Sequence, residues 1–97
     1  MLKKESMANI GTLPNGGVVK IRTNENPYEF PHVHIFYGGS TVQVSINKGL
    51  DGKRTVKGVL TDKQLKAVNS WLDDPKNHKM AMDWWHKVLD NSGYKRK

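Results

Sequence analysis

The stretch Pro31 to Ile46, PHVHIFYGGSTVQVSI, leaves a chain few ways to fold. Two runs of alternating residues flank Gly38-Gly39, a dipeptide that takes the positive φ angles of a two-residue hairpin turn. That turn places Val33 opposite Val44, Ile35 opposite Val42 and Pro31 beside Ile46. Because successive strand residues face opposite ways, the second face pairs His32 with Ser45, His34 with Gln43 and Phe36 with Thr41. The first face is wholly aliphatic and belongs in a core. The second carries two imidazoles about 7 Å apart, twice the ~3.3 Å strand rise. It is expected to point away from any helical layer.

The flanking segments extend this hairpin into a sheet. Val18 to Thr23 alternates, with Val19 and Ile21 on one face and Val18, Lys20 and Arg22 on the other. Ile10 to Leu13 reads as a short strand ending at the turn signal Pro14-Asn15-Gly16-Gly17. Asn24 to Phe30 is a loop holding Pro27, Glu25 and Glu29. Asn47 to Lys53 reads as a flexible basic connector, and Thr55 to Leu60 as a last strand weakened by Gly58. Thr61-Asp62-Lys63-Gln64 has the form of a capping box. After it, Leu65, Val68, Trp71 and Leu72 recur at helical spacing. Asp74-Pro75 closes that helix and opens another, with aspartate as N-cap and proline at the first helical position. Ala81, Trp84, Trp85, Val88 and Leu89 form its apolar stripe, and Asn91 to Gly93 stops it.

The expected fold is α+β: a three- to four-stranded antiparallel meander with two C-terminal helices on the Val33/Ile35/Val42/Val44 face. Trp71 and Trp84 are expected to complete that core. The 97 residues make a single domain over 10–91, between a disordered tail at 1–9 and a basic tail at 92–97.

The chain has no cysteine, which excludes disulfides and thiolate chemistry. No apolar run nears the roughly 20 residues of a membrane span, and the N-terminus lacks a signal-peptide core, so a cytoplasmic protein is expected. The net charge of +7 suggests a polyanionic partner. Five of the sixteen basic residues, Lys3, Lys4, Lys95, Arg96 and Lys97, sit near the ends. Residues 6–94 hold 11 basic and 8 acidic residues, a net of +3. Solvated tails and a true contact surface both fit that distribution.

His32 and His34 admit several chemistries. Metal ligation would require a third donor, with Glu25, Glu29, His78 and His86 as candidates and Glu29 the nearest in sequence to the pair. No metal or cofactor is expected. Metal-independent ribonuclease chemistry would use the imidazoles as base and acid, with Lys20 or Arg22 offsetting the phosphorane charge. A structural role would have the rings hydrogen-bonded to Ser45, Gln43 and loop backbone. A binding role asks least: Lys20, Arg22, His32, His34, Phe36, Gln43, Ser45, Lys48 and Arg54, with Thr41 among them, combine one aromatic with donors and a positive rim.

Pro31-His32-Val33-His34, followed by Tyr37-Gly38, the strand Val42 to Ile46, Gly58 to Thr61 and the spaced tryptophans, resembles the bacterial domain-of-unknown-function 4160 family. Its signature reads Pro-Pro-His-Phe-His and then Tyr-Gly. The first proline of that signature is Phe30 here, its upstream Asp-His is represented by Asn26-Pro27, and the 47–53 connector is longer and more basic. The resemblance implies the α+β fold and a bacterial or phage setting of toxin–antitoxin gene pairs and mobile elements. The expected role is a non-enzymatic module binding a partner protein (a cognate toxin or antitoxin) or nucleic acid. A ribonuclease-like toxin and a purely structural module are the alternatives.

Overall fold

A computed structural model describes residues 7–22 and 30–91. Five strands, β1 (Met7–Thr12), β2 (Val18–Arg22), β3 (His32–Tyr37), β4 (Ser40–Ser45) and β5 (Val56–Lys57), precede helices α1 (Asp62–Asp73) and α2 (Pro75–Asn91). The strands form one antiparallel sheet in chain order. The α+β meander with two C-terminal helices is therefore present, with five strands rather than three or four.

The central hairpin has the register that its turn requires: Val33 pairs with Val44, Ile35 with Val42, His34 with Gln43 and His32 with Ser45. Gly38 has φ 57°, and Gly39 is not among the positive-φ glycines. A positive φ at the first central position only is the signature of a type II′ turn.

The edges differ from expectation. β1 starts at Met7, within the expected tail, and the register slips between Asn9 and Gly11. Such a bulge breaks the alternation that would mark a strand. Gly11 admits the indole of Trp71 against the strand: a Cβ there would lie 2.3 Å from Trp71 Cζ2. β5 holds two residues and stops before Gly58, whose φ is 127°. The 92–97 segment and the Asn24–Glu29 part of the loop lie outside the described residues.

The core joins the inner sheet face to both helices. Val19, Ile21, Val33, Ile35, Val42, Val44 and Ile46 are buried with Val68 and Leu72 of α1 and Ala81, Trp85, Val88 and Leu89 of α2. Burial of each large aliphatic side chain contributes about 1.5–3 kcal/mol before entropy is counted. Trp85 is the tryptophan that completes this core, whereas Trp71 and Trp84 are only partly buried. Adjacent helical residues point about 100° apart, so the orientation of α2 selects one of the pair.

Local chemistry sets the helix ends. Thr61 Oγ1 accepts from the Gln64 amide at 3.1 Å, and the Thr61 amide donates to Gln64 Oε1 at 2.9 Å. Asp74 Oδ1 accepts from the Lys76 amide at 2.9 Å and so caps α2. From there α2 passes the open end of the hairpin. His78 Nε2 lies 2.6 Å from Asn47 Oδ1, Met82 Sδ accepts from Asn47 Nδ2, and Trp85, on the same helical face, reaches His32.

The 47–53 connector closes on itself rather than standing as a flexible loop. Gly49 donates to the Lys53 carbonyl at 2.8 Å, Gly52 to the Gly49 carbonyl at 2.9 Å, and the Lys53 amide to Asp51 Oδ1 at 2.9 Å.

Candidate functional site: the histidine face

Four aromatic residues alternate along one side of the chain, Phe30, His32, His34 and Phe36, because a strand returns every second side chain to the same face. The His32 ring lies 5.5 Å from Phe30, 5.1 Å from His34 and 5.0 Å from Trp85 between centroids. His32 is 1 % exposed and His34 5 %. The expectation that both imidazoles turn away from the helices is corrected for His32. α2 passes the hairpin's open end, where Trp85 lies against His32, the first residue of β3. Aromatic ring pairs in edge and tilted arrangements are each worth about 0.5–1.5 kcal/mol beyond burial.

Two polar groups of this cluster, on His32 and Ser45, are engaged in structure. His32 Nδ1 is 2.8 Å from the Phe30 carbonyl oxygen. A carbonyl can only accept, so Nδ1 carries the proton in that bond and Nε2 is the remaining ring nitrogen. Ser45 Oγ donates to the Asn47 carbonyl at 2.8 Å and accepts from the Thr55 amide at 2.8 Å, pinning the connector. Ser45 is thus a buried clamp and not a surface contact. Gln43 Oε1 is buried without a hydrogen-bond partner among the described residues.

The positive rim divides into two groups. Lys20 Nζ lies 4.6 Å above the Phe36 ring, and Lys57 Nζ 5.1 Å from the Phe30 ring centroid. Arg22 is half-buried at the end of β2. Lys48 and Arg54 instead turn to α1. The Arg54 side chain is 4 % exposed, donates to the Ile46 carbonyl and Asn69 Oδ1, and lies 2.9 Å from Asp73. Lys48 reaches the same carboxylate at 3.4 Å. The hydrogen bond from Arg54, with a lesser contribution from Lys48, holds the Asp73 carboxyl below its usual range against the opposing effect of burial. Arg54 therefore ties the connector to α1 and is not part of an open basic surface.

Among the described residues no three His, Cys, Asp or Glu side chains gather as a metal site. His78 bonds Asn47 and His86 sits half-buried on α2. Glu25 and Glu29, the other candidate donors, lie outside the described residues. Phe30, Lys57 and Trp85 are the members of the cluster that sequence reasoning left out. Phe30 was detectable, since it precedes His32 by two residues. No described helix is long and apolar enough to cross a membrane.

A five-stranded meander, two helices and a sealed imidazole–aromatic cluster at the hairpin mouth define a small α+β domain. The chain belongs to the family described as Domain of unknown function (DUF4160), which it matches over residues 16–86. That span holds β2 to β5, α1, His32, His34 and Trp85. No curated protein and no solved structure matches the chain.

Proposed function

We propose that the domain is a non-enzymatic binding module of the toxin–antitoxin or mobile-element kind, contacting an acidic partner protein or a nucleic acid through the rim of the histidine face. The observation that carries this reading is the sealing of His32 under Trp85, with Nδ1 committed to a backbone carbonyl. A ring held this way shapes a surface more readily than it exchanges protons with a substrate. Around it, Lys20 over Phe36 and Lys57 over Phe30 offer cations beside aromatic rings, with Arg22 at the end of β2. Such a combination suits phosphates and carboxylates.

The test is incubation with total RNA in chelator, followed by binding at two salt concentrations. Salt-sensitive binding without cleavage, weakened by Lys20→Glu/Lys57→Glu, is the expected result. Cleavage that disappears in folded His32→Ala/His34→Ala protein would instead establish the ribonuclease reading.

A further inference from the structure

A second surface, sharing no residue with the histidine cluster, is built on α1. A groove of about 530 Å³ runs between the β1–β2 turn and α1, lined by Asn15, Lys63, Lys66, Ser70, Trp71 and Asn77, with Pro14 and Ala67 as walls and Asp74 at one end. We propose that this groove binds one nucleotide unit of a single-stranded nucleic acid, with the base on Trp71 and the phosphate at Lys63 and Lys66. The proposal rests on the polyanion-binding reading and names both a partner class and a different contact surface.

The groove is built rather than incidental. Trp71 is half-buried and lies against Gly11, where any side chain would collide with the indole. The ring is thereby fixed at low entropic cost, as a stacking platform requires. Asn15 is fixed as well: its turn is closed by the Leu13 amide on the Gly17 carbonyl at 2.7 Å, and its Oδ1 accepts from Tyr37 Oη at 2.6 Å. That leaves the Asn15 amide N–H₂ as a donor lining the groove. Asn77 donates its own N–H₂ to the Trp71 carbonyl at 3.0 Å, which leaves its carboxamide oxygen as an acceptor. Asp74 keeps acceptor capacity beyond its cap to Lys76. A donor and acceptors beside an aromatic ring are what a base edge needs.

Charge completes the match. Lys63, Lys66, Ser70 and Trp71 follow one another along α1 at helical spacing, with cations at one end and the carboxylate of the C-cap residue Asp74 at the other. Lys66 to Asp74 spans about 12 Å at ~1.5 Å per residue, comparable to a nucleotide from its phosphate to its base edge. Neither lysine has a salt-bridge partner among the described residues. The α2 surface with Trp84 is less suited to stacking a base: Lys87 covers that ring at 5.1 Å, and Lys79 is paired with Asp83 at 2.8 Å.

The experiment is anisotropy of a short fluorescein-labelled single-stranded RNA with the full chain. Lys63→Glu/Lys66→Glu is compared with Lys79→Glu/Lys87→Glu, which changes net charge equally. Both pairs are exposed and leave the core untouched. The expected result is a loss of tenfold or more for the first pair and a clearly smaller loss for the second. A shift of the Trp71 indole N–H resonance on adding adenosine monophosphate should accompany binding. Equal losses from the two pairs, or equal affinity for duplex RNA, would overturn the groove while leaving polyanion binding intact. Binding of polyglutamate but not RNA would do the same. If neither polymer bound, the groove and the reading beneath it would both fall.

Discussion

Toward the open end of the β3–β4 hairpin the two faces reach similar burial by different chemistry. On the inner face Val33, Ile35, Val42 and Val44 are between 0 and 3 % exposed. Their packing needs no orientation beyond a side-chain rotamer. On the outer face His32, His34 and Ser45 are nearly as buried, yet each polar atom there needs a partner or incurs a desolvation cost. His32 meets that demand with a backbone carbonyl and three rings, and Ser45 with two backbone groups. Gln43 Oε1 does not meet it. An aliphatic face tolerates approximate neighbours, whereas a buried polar face works only where each contact is specified.

Substitutions should rank accordingly. Ile35→Ala is expected to cost about 2–5 kcal/mol, read as a lower urea midpoint with unchanged slope. A loss well under ~1 kcal/mol would mean that the inner face is not the core. His32→Ala removes the Phe30, His34 and Trp85 ring contacts together with one hydrogen bond, and should cost roughly 2–3 kcal/mol. If denaturation curves barely move, the outer face is a surface after all and the likeness between the faces breaks.

Arg54→Met probes the clamp beyond the hairpin. It keeps the buried stem but drops the bonds to Ile46, Asn69 and Asp73, for an expected loss of about 1–2 kcal/mol. The same variant carries a pH signature. Asp73 has its folded pKa depressed below 3.8, so its contribution is full above that value and is lost as pH falls through the lowered pKa. Its side chain is 47 % exposed, so the acid-dependent part is small. Wild-type stability should therefore fall slightly more steeply than the variant's below about pH 4; parallel curves would show that the pair is electrostatically idle. The smallest effect belongs to Gln43→Met. Removing an unpaired buried oxygen should leave stability unchanged or raise it by up to ~1 kcal/mol. A clear destabilisation would reveal a hydrogen bond at that atom in solution.

Much of this molecule is legible in its sequence. The hairpin register follows from Gly38-Gly39 and the alternation around it, because both act over a few residues. The Thr61–Gln64 capping box and the Asp74 cap are local in the same sense. β1 was partly hidden, since its bulge at Asn9–Gly11 disrupts the period that identifies strands. The histidine site was legible in membership but not in exposure. Alternation places His32 and His34 together, yet says nothing about what covers their face.

The amino-acid order alone determined which side chains share a face, where the chain turns and where helices begin, because those outcomes depend on dihedral preferences and contacts between near neighbours. Tertiary structure decided which of Trp84 and Trp85 enters the core, that Arg54 meets Asp73, and that Trp85 seals His32. Each of these depends on where α2 crosses the sheet and how it is rotated, a choice made by packing the whole core at once.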